Sequence, residues 1–518
     1  MNDKKTLVPW FKRGDIGGVT YLVTNNIVNY LIVIATLSGV LKWPDKIVFG
    51  AVIPGMSVGL MLGCLYYAFM GRRLSKKEGR AALPSGVSTP AMFVFLYGVI
   101  MPLHFALGKP ELAWSAGVAA CFIGGFVEFC GGIIGPWLKK RIPRAALLGT
   151  VAGIGFIWMA TQGVFDILGD PMIGLPVLFV AILGLFGGYM FPKQIPPLVI
   201  AIVGGIVYAL CLGRIQPDFS GIGFYIPNPV NSIEHLIDGF AIVAPYLTII
   251  IPVEIYNFIE TLDNVEASNA AGDNYNVREA QFADGICTML SALCGGVIPN
   301  TVWLGHAGLK KSEAGIGYSL ISGIVLGLSG IFGLFTFLNS VVPPAVCAIT
   351  FLWCAVVMVA QAFKDNDRKH YAAIAVAMVP PVADYLYTQV TGALSLANLQ
   401  TAVQNSGLNE YAADITQMIK DAGVMWNGVP ATKSGAIIIG ILLGTMVTFV
   451  IDKRLDKVGI TALMGYILSC FGFIHSASLG FHPLSPFAIG YLIIAVLSFI
   501  FHAGRKTWFK GPDDFDYV

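Results

Sequence analysis

Apolar stretches alternate with short polar connections along almost the whole 518-residue chain. Two of these stretches, residues 434–450 and 485–501, contain no charged side chain. A helix needs about 20 such residues to cross the hydrocarbon core of a bilayer. We therefore predict an all-α polytopic membrane protein with about sixteen spans. The predicted spans are residues 17–40, 47–70, 84–104, 112–136, 145–168, 173–191, 194–213, 239–266, 279–298, 299–311, 315–340, 342–363, 370–391, 433–452, 459–476 and 485–503.

Lysine and arginine concentrate in every second connection between the predicted spans. Residues 72–80, 139–144 and 453–457 are examples, and residues 1–15 are polar and basic as well. Because connections rich in Lys and Arg stay on the cytoplasmic side, the alternation predicts an even number of spans with both termini in the cytoplasm. The N-terminal segment has no short apolar core with a cleavage site, so we expect no signal peptide to be removed. We expect a multi-pass protein of the plasma (cytoplasmic) membrane.

The composition supports the membrane class and excludes several functions. Hydrophobic residues make up 56% of the chain and charged residues 12%, with a mean hydropathy of +0.74. The net charge is only +2, and no basic stripe with interleaved aromatics occurs, so we expect no nucleic-acid partner. The nine cysteines form no C-x-x-C pair. We therefore expect no metal and no cofactor.

Two segments place Pro, Ser, Thr, Asn and Gly where an apolar helix should begin. They are residues 83–94 (LPSGVSTPAMFV) and 299–308 (PNTVWLGHAG). Short broken segments at matching places in two halves are typical of inverted-repeat transporters, whose substrate lies between them. Unwound backbone at membrane depth must be hidden in protein or line a polar cavity, and helix N-termini there offer free N–H groups and a positive dipole end. Simple kinks in a packed bundle are the alternative.

Acidic residues inside predicted spans are candidates for function, because a charge near the bilayer centre costs about 2.5–3.5 kcal/mol on insertion scales. Residues 249–271 are the richest stretch, and Glu260, Asp263 and Asn264 share one helical face there. Two adjacent carboxyls in a low dielectric suit a group that binds and releases a proton. We expect Glu260 and Asp263 to couple transport to protons, with a paired packing carboxyl as the alternative. The full set of candidate acids is Glu128, Glu254, Glu260, Asp263, Glu266, Asp284 and Asp384.

Other polar residues at membrane depth have two interpretations each. A lone histidine such as His306 is most often a hydrogen-bonded structural residue, yet imidazole titrates near neutral pH and this one lies in an interrupted segment. Asn25, Asn26 and Asn29 lie on roughly one face of the first span. They are either interhelical contacts or ligands.

Three motifs resemble a known transporter family. They are residues 17–24 (GGVTYLVT), 85–93 (SGVSTPAMF) and 260–267 (ETLDNVEA). With them the chain resembles the xanthine–uracil–ascorbate permease family, the second type of nucleobase cation symporter, and most of all its adenine/guanine/hypoxanthine permease branch. The likeness runs over residues 13–453 with weak identity but matching order.

The resemblance implies a seven-plus-seven inverted-repeat transporter with core and gate domains, in which the substrate lies between broken spans 3 and 10. Two predicted spans lie beyond such a core. The implied organisation is a cytoplasmic N-terminal tail at residues 1–16, a first seven-span repeat at 17–214, a second, inverted repeat at 239–453, an extra C-terminal helical hairpin at 459–503 and a cytoplasmic tail at 504–518.

The resemblance also implies a substrate site, with one departure. Glu260 stands where the family has its substrate-binding acid, but Gly305 stands where a second acid is expected. Either His306 or Asn300 takes over that role, or the ligand is not an ordinary nucleobase. Trp303, Phe93 and Met92 would stack on a flat ring of the substrate. The implied substrate-binding residues are Glu260, Asn264, Met92, Phe93, Asn300, Thr301, Trp303, Gly305 and His306.

We therefore expect a secondary active transporter, not an enzyme, which carries a purine-like nucleobase in symport with a proton by alternating access. The alternative is transport of a small organic or inorganic anion on the same fold, because loss of the second acid removes a repulsive charge. An intramembrane enzyme would need a motif such as H-E-x-x-H, which the sequence lacks, while a channel or receptor role stays open. The expected partners are a small-molecule substrate, a proton or sodium ion, the lipid bilayer and a second copy of the chain in a homodimer.

Overall fold

The structure is a computed structural model, and it describes most of the chain. The described residues are 9–75, 80–139, 141–189, 197–303, 305–396, 419–420, 423–476, 480–505 and 507–509. Parts of both predicted tails, and most of the connection at 394–433, lie outside these residues.

The first half of the described chain consists of apolar helices and one short strand. Its elements are α1 (Asp15–Ile34), α2 (Asp45–Ile47), α3 (Ile53–Leu74), β1 (Ser85–Val87), α4 (Thr89–Phe93), α5 (Met101–Leu107), α6 (Pro110–Lys139), α7 (Arg144–Ile154), α8 (Thr161–Gly169), α9 (Pro171–Leu185) and α10 (Pro197–Cys211). Wide π-helical turns join α2 to α3, α4 to α5 and α7 to α8, so each of these pairs forms one longer helix.

The second half has the same kind of order, with a strand before a short helix. Its elements are α11 (Pro229–Val243), α12 (Leu247–Ala270), α13 (Val277–Leu293), β2 (Asn300–Val302), α14 (His306–Lys311), α15 (Gly317–Ile331), α16 (Leu334–Val341), α17 (Pro344–Lys364), α18 (Tyr371–Ala377), α19 (Pro380–Leu396), α20 (Val429–Lys433), α21 (Ala436–Ile451), α22 (Leu455–Cys470) and α23 (Pro486–Gly504). A 3₁₀ turn, Arg368–His370, precedes α18.

The predicted class, a helical polytopic membrane protein, is confirmed. Within the described residues, eight helical stretches are long and apolar enough to cross a membrane, or nine if α15 and α16, bent by 87°, form one span. Shorter apolar helices are α9, α10 and α21. The count of sixteen spans is not confirmed, because several predicted spans are broken: residues 299–311, for example, form a strand and the six-residue helix α14.

Contacts divide the chain into two compact units. Unit 1 comprises Met1–Trp137, Ala160–Ala244 and Val253–Trp353, and unit 2 comprises Leu138–Met159, Pro245–Pro252 and Cys354–Val518. Each predicted repeat contributes to both units. The repeat boundaries at 17–214 and 239–453 therefore describe a different division and stay a prediction.

Unit 1 is held together by close helix packing at small residues. Helix α3 lies against α13 and α15, and α1 lies against α15. Gly59 of α3 packs on Ser291 of α13, and Gly323 of α15 packs on Cys64 of α3. Small residues let membrane helices approach closely and gain van der Waals contact. This packing positions β1 and β2, the two strands of the described residues, inside unit 1.

Unit 2 contains the C-terminal helices. Helices α7, α18 and α21 pack together, with Gly444 of α21 against Ala146 of α7. Helices α22 and α23 pack on one another where the extra hairpin at 459–503 is predicted. Buried Ala462 and Tyr491 belong to their shared apolar core with α21. Exposed side chains such as Ile493 of α23 form an apolar outer surface of the kind that faces lipid.

Candidate functional site

The two interrupted segments meet in unit 1 as an antiparallel pair of strands. Gly86 of β1 lies opposite Thr301 of β2, with Ser85 opposite Val302 and Val87 opposite Asn300. All of these residues are buried. The strands satisfy one another's backbone groups at a depth where lipid could not. The sequence predicts a site between these two segments, and the pairing places them side by side.

Asparagine side chains of α1 hold the first strand. Asn26 accepts a hydrogen bond from the Val87 amide (3.0 Å), and Asn29 donates to the Val87 carbonyl (3.3 Å). Asn29 also lies 3.1 Å from the hydroxyl of Thr89, the first residue of α4. Asn25 instead donates to the Tyr21 carbonyl of its own helix. Asn26 and Asn29 therefore position the first interrupted segment.

Helix α4 begins directly after the first strand. Ser88 is its N-cap residue, and its side chain makes no capping hydrogen bond. Within the described chain, the buried hydroxyls of Ser85 and Ser88 have no hydrogen-bond partner. The Ser88 hydroxyl and the amides at this helix start lie at the positive end of a helix dipole.

A stripe of polar residues on α12 faces the second strand. Asn257 donates to the Asn300 carbonyl (3.1 Å), and Asn264 donates to the Val302 carbonyl (2.7 Å). Thr261, between them on the same face, has its hydroxyl 2.9 Å from that of Thr301. These hydrogen bonds from the stripe hold β2 in place, in the same way that the asparagines of α1 hold β1.

Three buried carboxyls lie behind this stripe, and we call them the acid cluster: Glu128 of α6, Glu254 of α12 and Asp284 of α13. Two close helix approaches bring them together. A Cβ on Gly125 would lie 2.7 Å from the Gly285 carbonyl oxygen, so neither position has room for a side chain. Gly124 in turn contacts the Glu254 carboxyl. The glycine-rich face of α6 thus leaves room for the acidic side chains of α12 and α13.

Asn257 and Thr261 connect the three carboxyls. The Asn257 amide nitrogen lies 3.3 Å from Oε2 of Glu128 and 3.3 Å from Oε2 of Glu254. The Thr261 hydroxyl lies 3.0 Å from Oε1 of Glu128 and 3.2 Å from Oδ2 of Asp284. A hydroxyl has one hydrogen to donate, so it cannot bond to two ionised carboxylates at once. The geometry fits a cluster that holds at least one proton between Glu128 and Asp284.

No basic side chain balances the acid cluster among the described residues. None of the ion pairs found there includes Glu128, Glu254 or Asp284. Buried Oε1 of Glu254 and Oδ1 of Asp284 have no hydrogen-bond partner in that part of the chain. Burial of an unpaired charge is expensive, so such groups bind a proton or a cation. The described residues contain no group of three His, Cys, Asp or Glu side chains placed to hold a metal ion.

The residues that the sequence predicts as proton-coupling lie on another face of α12. Glu260 and Asp263 are both half-buried. Oε2 of Glu260 is buried and has no hydrogen-bond partner among the described residues. Neither residue takes part in the hydrogen bonds that join the acid cluster. Their role therefore stays a prediction.

The predicted binding residues of the first segment are packed in the interior of unit 1. Met92 and Phe93 are fully buried. The Phe93 ring stacks on Tyr97 with centroids 5.9 Å apart, and the Phe351 ring meets it edge-on at the same distance.

The predicted binding residues of the second segment have diverse surroundings. The Asn300 amide donates to Thr288 (3.0 Å), while its side-chain nitrogen is buried without a partner in the described residues. Half-buried Trp303 donates from its indole to the Val87 carbonyl (3.0 Å), which ties it to the first strand. His306 lies 3.0 Å from Asp273 and is buried.

The backbone conformation at Gly305, which stands where the family's second acid is expected, favours glycine. Its φ of +106° lies in a region that L side chains rarely adopt. A Cβ there would lie 2.9 Å from the Tyr21 hydroxyl. The position therefore disfavours any side chain, including a carboxylate.

The sequence includes the acid cluster among seven candidate acids but assigns it no role. A signal was present, since Glu254, Asn257 and Thr261 lie at i, i+3 and i+7 on one face. The glycines before Glu128 are a second signal, because they indicate close helix approach.

The fold and the site define a helical membrane protein with two paired interruptions and a buried acidic site. No family model matches the sequence, and no curated protein sequence matches it. The fold is similar to that of the transmembrane domain of a cyanobacterium bicarbonate transporter, BicA, at 16% identity and a TM-score of 0.52, over 75% of this chain and 98% of that one. It is also similar to SLC26A9, at 11% identity and a TM-score of 0.50, over 75% of this chain and 65% of that one.

These likenesses confirm the predicted seven-plus-seven inverted-repeat transporter fold. The expectation of a transporter and not an enzyme agrees with them. They do not support the nucleobase permease branch within the fold.

Proposed function

We propose that this protein is a secondary transporter that carries a small anion by alternating access, in symport with protons that bind the acid cluster. The observation that carries the proposal is the pairing of β1 with β2 beside three buried carboxyls. Paired interruptions at membrane depth are the usual substrate site of inverted-repeat transporters. The lipid bilayer and a small-molecule substrate are then the partners, while the plasma membrane location, the cytoplasmic termini and the homodimer stay predictions.

The start of α4 supports an anionic substrate. Helix N-termini bind anions through free amides and the helix dipole. Here that end is buried, and the Ser88 hydroxyl adds a donor without a partner in the described chain. Gly305 leaves the second segment without the carboxylate that would repel an anion. The fold of BicA, described as a bicarbonate transporter, agrees with this choice.

The acid cluster supports coupling to protons. An anion that enters a site next to three carboxylates meets repulsion, which protonation of the cluster removes. The Thr261 hydroxyl lies within hydrogen-bond distance of both Glu128 and Asp284, a geometry that fits a proton on one of them. Proton binding therefore favours anion binding, as symport demands.

A purine-like nucleobase is the second candidate. The observation in its favour is the buried, unpartnered Oε2 of Glu260 in the described chain, which could accept a hydrogen bond from a ring N–H. Trp303 lies close to β1, where it could stack on a flat ring. This is the substrate class that the sequence resemblance implies.

Uptake into proteoliposomes distinguishes the two substrates. The panel contains labelled bicarbonate, sulfate, a small carboxylate, adenine, guanine and uracil, each with and without an inward proton gradient and with and without sodium. We expect uptake of an anion that the proton gradient accelerates and sodium does not. Uptake of a purine and of no anion would select the second candidate. Uptake that an inward proton gradient does not accelerate would refute the coupling to protons.

A further inference from the structure

An open groove of about 460 Å³ lies in unit 1 between α3 and α13. Tyr66 of α3 lines one side, and residues of the first half of α13 line the other. Two hydrogen bonds hold the helices together beside it: the Tyr66 hydroxyl donates to Oε1 of Glu279 (2.8 Å), and the Tyr67 hydroxyl donates to the Ala280 carbonyl (3.0 Å). No residue of the acid cluster or of the paired strands lines this groove.

Four side chains of α13 make one side of the groove apolar. Phe282 and Ile286 line it one helical turn apart, and Ala283 and Cys287 repeat that spacing beside them. Ile286 is 43% exposed, and Leu290, one turn further on, is 37% exposed. Exposed apolar side chains on a membrane helix face lipid. The groove therefore opens towards lipid and offers apolar surface on which an acyl chain can be buried.

The start of α13 places charged groups at one end of the groove. Glu279 accepts hydrogen bonds from Tyr66 and from Arg73 at the end of α3, so its charge is balanced. The Asn276 side chain caps the first amides of α13, which are thereby satisfied. Arg278 is exposed and takes part in none of the ion pairs found among the described residues. The positive charge of the groove therefore comes from this guanidinium and not from the helix start.

The groove has the depth and the orientation of one lipid chain. Arg73 belongs to the connection at 72–80, which the charge pattern predicts to be cytoplasmic, and its pair with Glu279 puts the start of α13 at the same end. From Arg278 to Cys287 the helix rises about 14 Å. This is close to the depth of one leaflet of a bilayer whose hydrocarbon core is about 30 Å thick. An acyl chain whose headgroup contacts Arg278 thus runs along the apolar side.

We infer that this groove binds one acyl chain of an anionic phospholipid, whose headgroup pairs with Arg278. Basic pockets between helices at the cytoplasmic surface of a membrane bind such headgroups. The chain packs on Phe282 and Ile286 and fills the space beside Tyr66. The bound lipid contacts the helix that carries Asp284 of the acid cluster, whichever solute is transported.

Photolabelling of the purified, delipidated full-length protein in a neutral detergent tests this site. The probe is phosphatidylglycerol with a diazirine in the middle of one acyl chain, and mass spectrometry maps the labelled residues. We expect label on residues 282–287, which line the groove. Unlabelled phosphatidylglycerol should compete about fivefold better than phosphatidylcholine of the same chain length, because one basic side chain selects the anionic headgroup.

Two variants test the two parts of the site, each with a matched control. Arg278→Gln should remove the preference for phosphatidylglycerol over phosphatidylcholine, whereas Lys311→Gln, at an exposed lysine of α14, should keep it. Ile286→Trp fills the groove and should abolish most of the labelling by the probe. Leu290→Trp, one turn further along α13 and outside the groove, should leave the labelling unchanged.

The outcomes distinguish a specific site from contact with the surrounding lipid. Label in the groove that Ile286→Trp removes, with a headgroup preference that Arg278→Gln removes, supports the inference. Label spread evenly over other lipid-facing helices such as α23, or unchanged in Ile286→Trp, would overturn it. Equal competition by phosphatidylcholine, or by glycerol phosphate without any chain, would overturn the assignment of an anionic lipid. If Ile286→Trp does not fold, the exposed Arg278→Gln decides alone.

Discussion

The hydroxyl of Thr261 lies 3.0 Å from Oε1 of Glu128, although the two residues belong to helices α12 and α6. Both are fully buried. This hydroxyl also contacts Thr301 of β2. Thr261, like Asn257, therefore joins the acid cluster to the strand pair that forms the proposed substrate site. Both side chains place the cluster within one residue of β2.

Removal of this hydroxyl should loosen the site. In Thr261→Val the side chain keeps its shape, but buried carboxyl oxygens lose their partner. A buried polar group without a partner costs about 1–3 kcal/mol, so we expect the thermal unfolding midpoint to fall. Thr261→Ser keeps the hydroxyl and should lie close to the wild type. Equal stability of the Val and wild-type proteins would contradict the hydrogen-bonded arrangement.

Neutralisation of Glu128 should uncouple transport from protons. Glu128→Gln keeps the volume and one acceptor oxygen but cannot bind and release a proton. We expect stimulation of uptake by an inward proton gradient to disappear, while exchange of substrate between two sides at equal pH persists. The measurement is uptake and counterflow in proteoliposomes.

The matched control for that variant is Glu111→Gln, on the exposed first turn of the same helix. It should keep the full gradient stimulation. Retained stimulation in Glu128→Gln, with loss in Glu260→Gln, would instead support the proton site that the sequence predicts.

The interrupted segments could be predicted from sequence because their signal is local. Pro84, Pro90 and Pro299 stand beside Ser, Thr, Asn and Gly in otherwise apolar surroundings, a composition that interrupts the apolar run expected of a membrane span. Their pairing follows from the requirement that buried backbone groups find partners. The strand register could not be predicted, because it depends on the asparagines of α1 and α12.

The acid cluster could not be assembled from sequence, since its members come from three helices. Glu254, Asn257 and Thr261 lie on one face of α12, and the spacing of Glu260, Asp263 and Asn264 is as regular, although Asn264 belongs to the stripe that faces β2. Periodicity alone cannot decide which face meets α6. The packing of Gly124 and Gly131 of α6 against Glu254 and Phe258 of α12 decides it.

Gly305→Ala should destabilise the second interrupted segment. The backbone there has φ +106°, and a Cβ would lie 2.9 Å from the Tyr21 hydroxyl. A side chain held in such a conformation costs about 1–3 kcal/mol, so the unfolding midpoint should fall. Gly308→Ala, three residues on in α14 with open space around the new Cβ, should be neutral or stabilising by about 0.5–1 kcal/mol. The same response in both variants would contradict the strained geometry.

The ion pairs of Asp273 predict how stability responds to acid. Asp273 lies in the connection after α12, within 3.0 Å of His306 and 2.9 Å of Lys310, and it also accepts from the Ala81 amide. Burial works against ionisation, but these hydrogen bonds outweigh it and lower the pKa of Asp273. A carboxyl whose pKa is lower in the folded state stabilises the fold above the pKa of the unfolded chain, about 3.9. That contribution is lost as the pH falls from there through the folded-state value.

Asp273→Asn should therefore lower the unfolding midpoint at pH 7, and the gap to the wild type should close as the pH falls below about 4. Thermal unfolding of both proteins across pH 3–8 measures it, with Asp45→Asn, an exposed aspartate of α2, as the control. Because the Asp273 contacts join the segment before β1 to the helix after β2, the variant should also weaken protection of both strands in hydrogen exchange. A gap that widens in acid would show that Asp273 is protonated in the folded protein, and the His306 contact would then need another explanation.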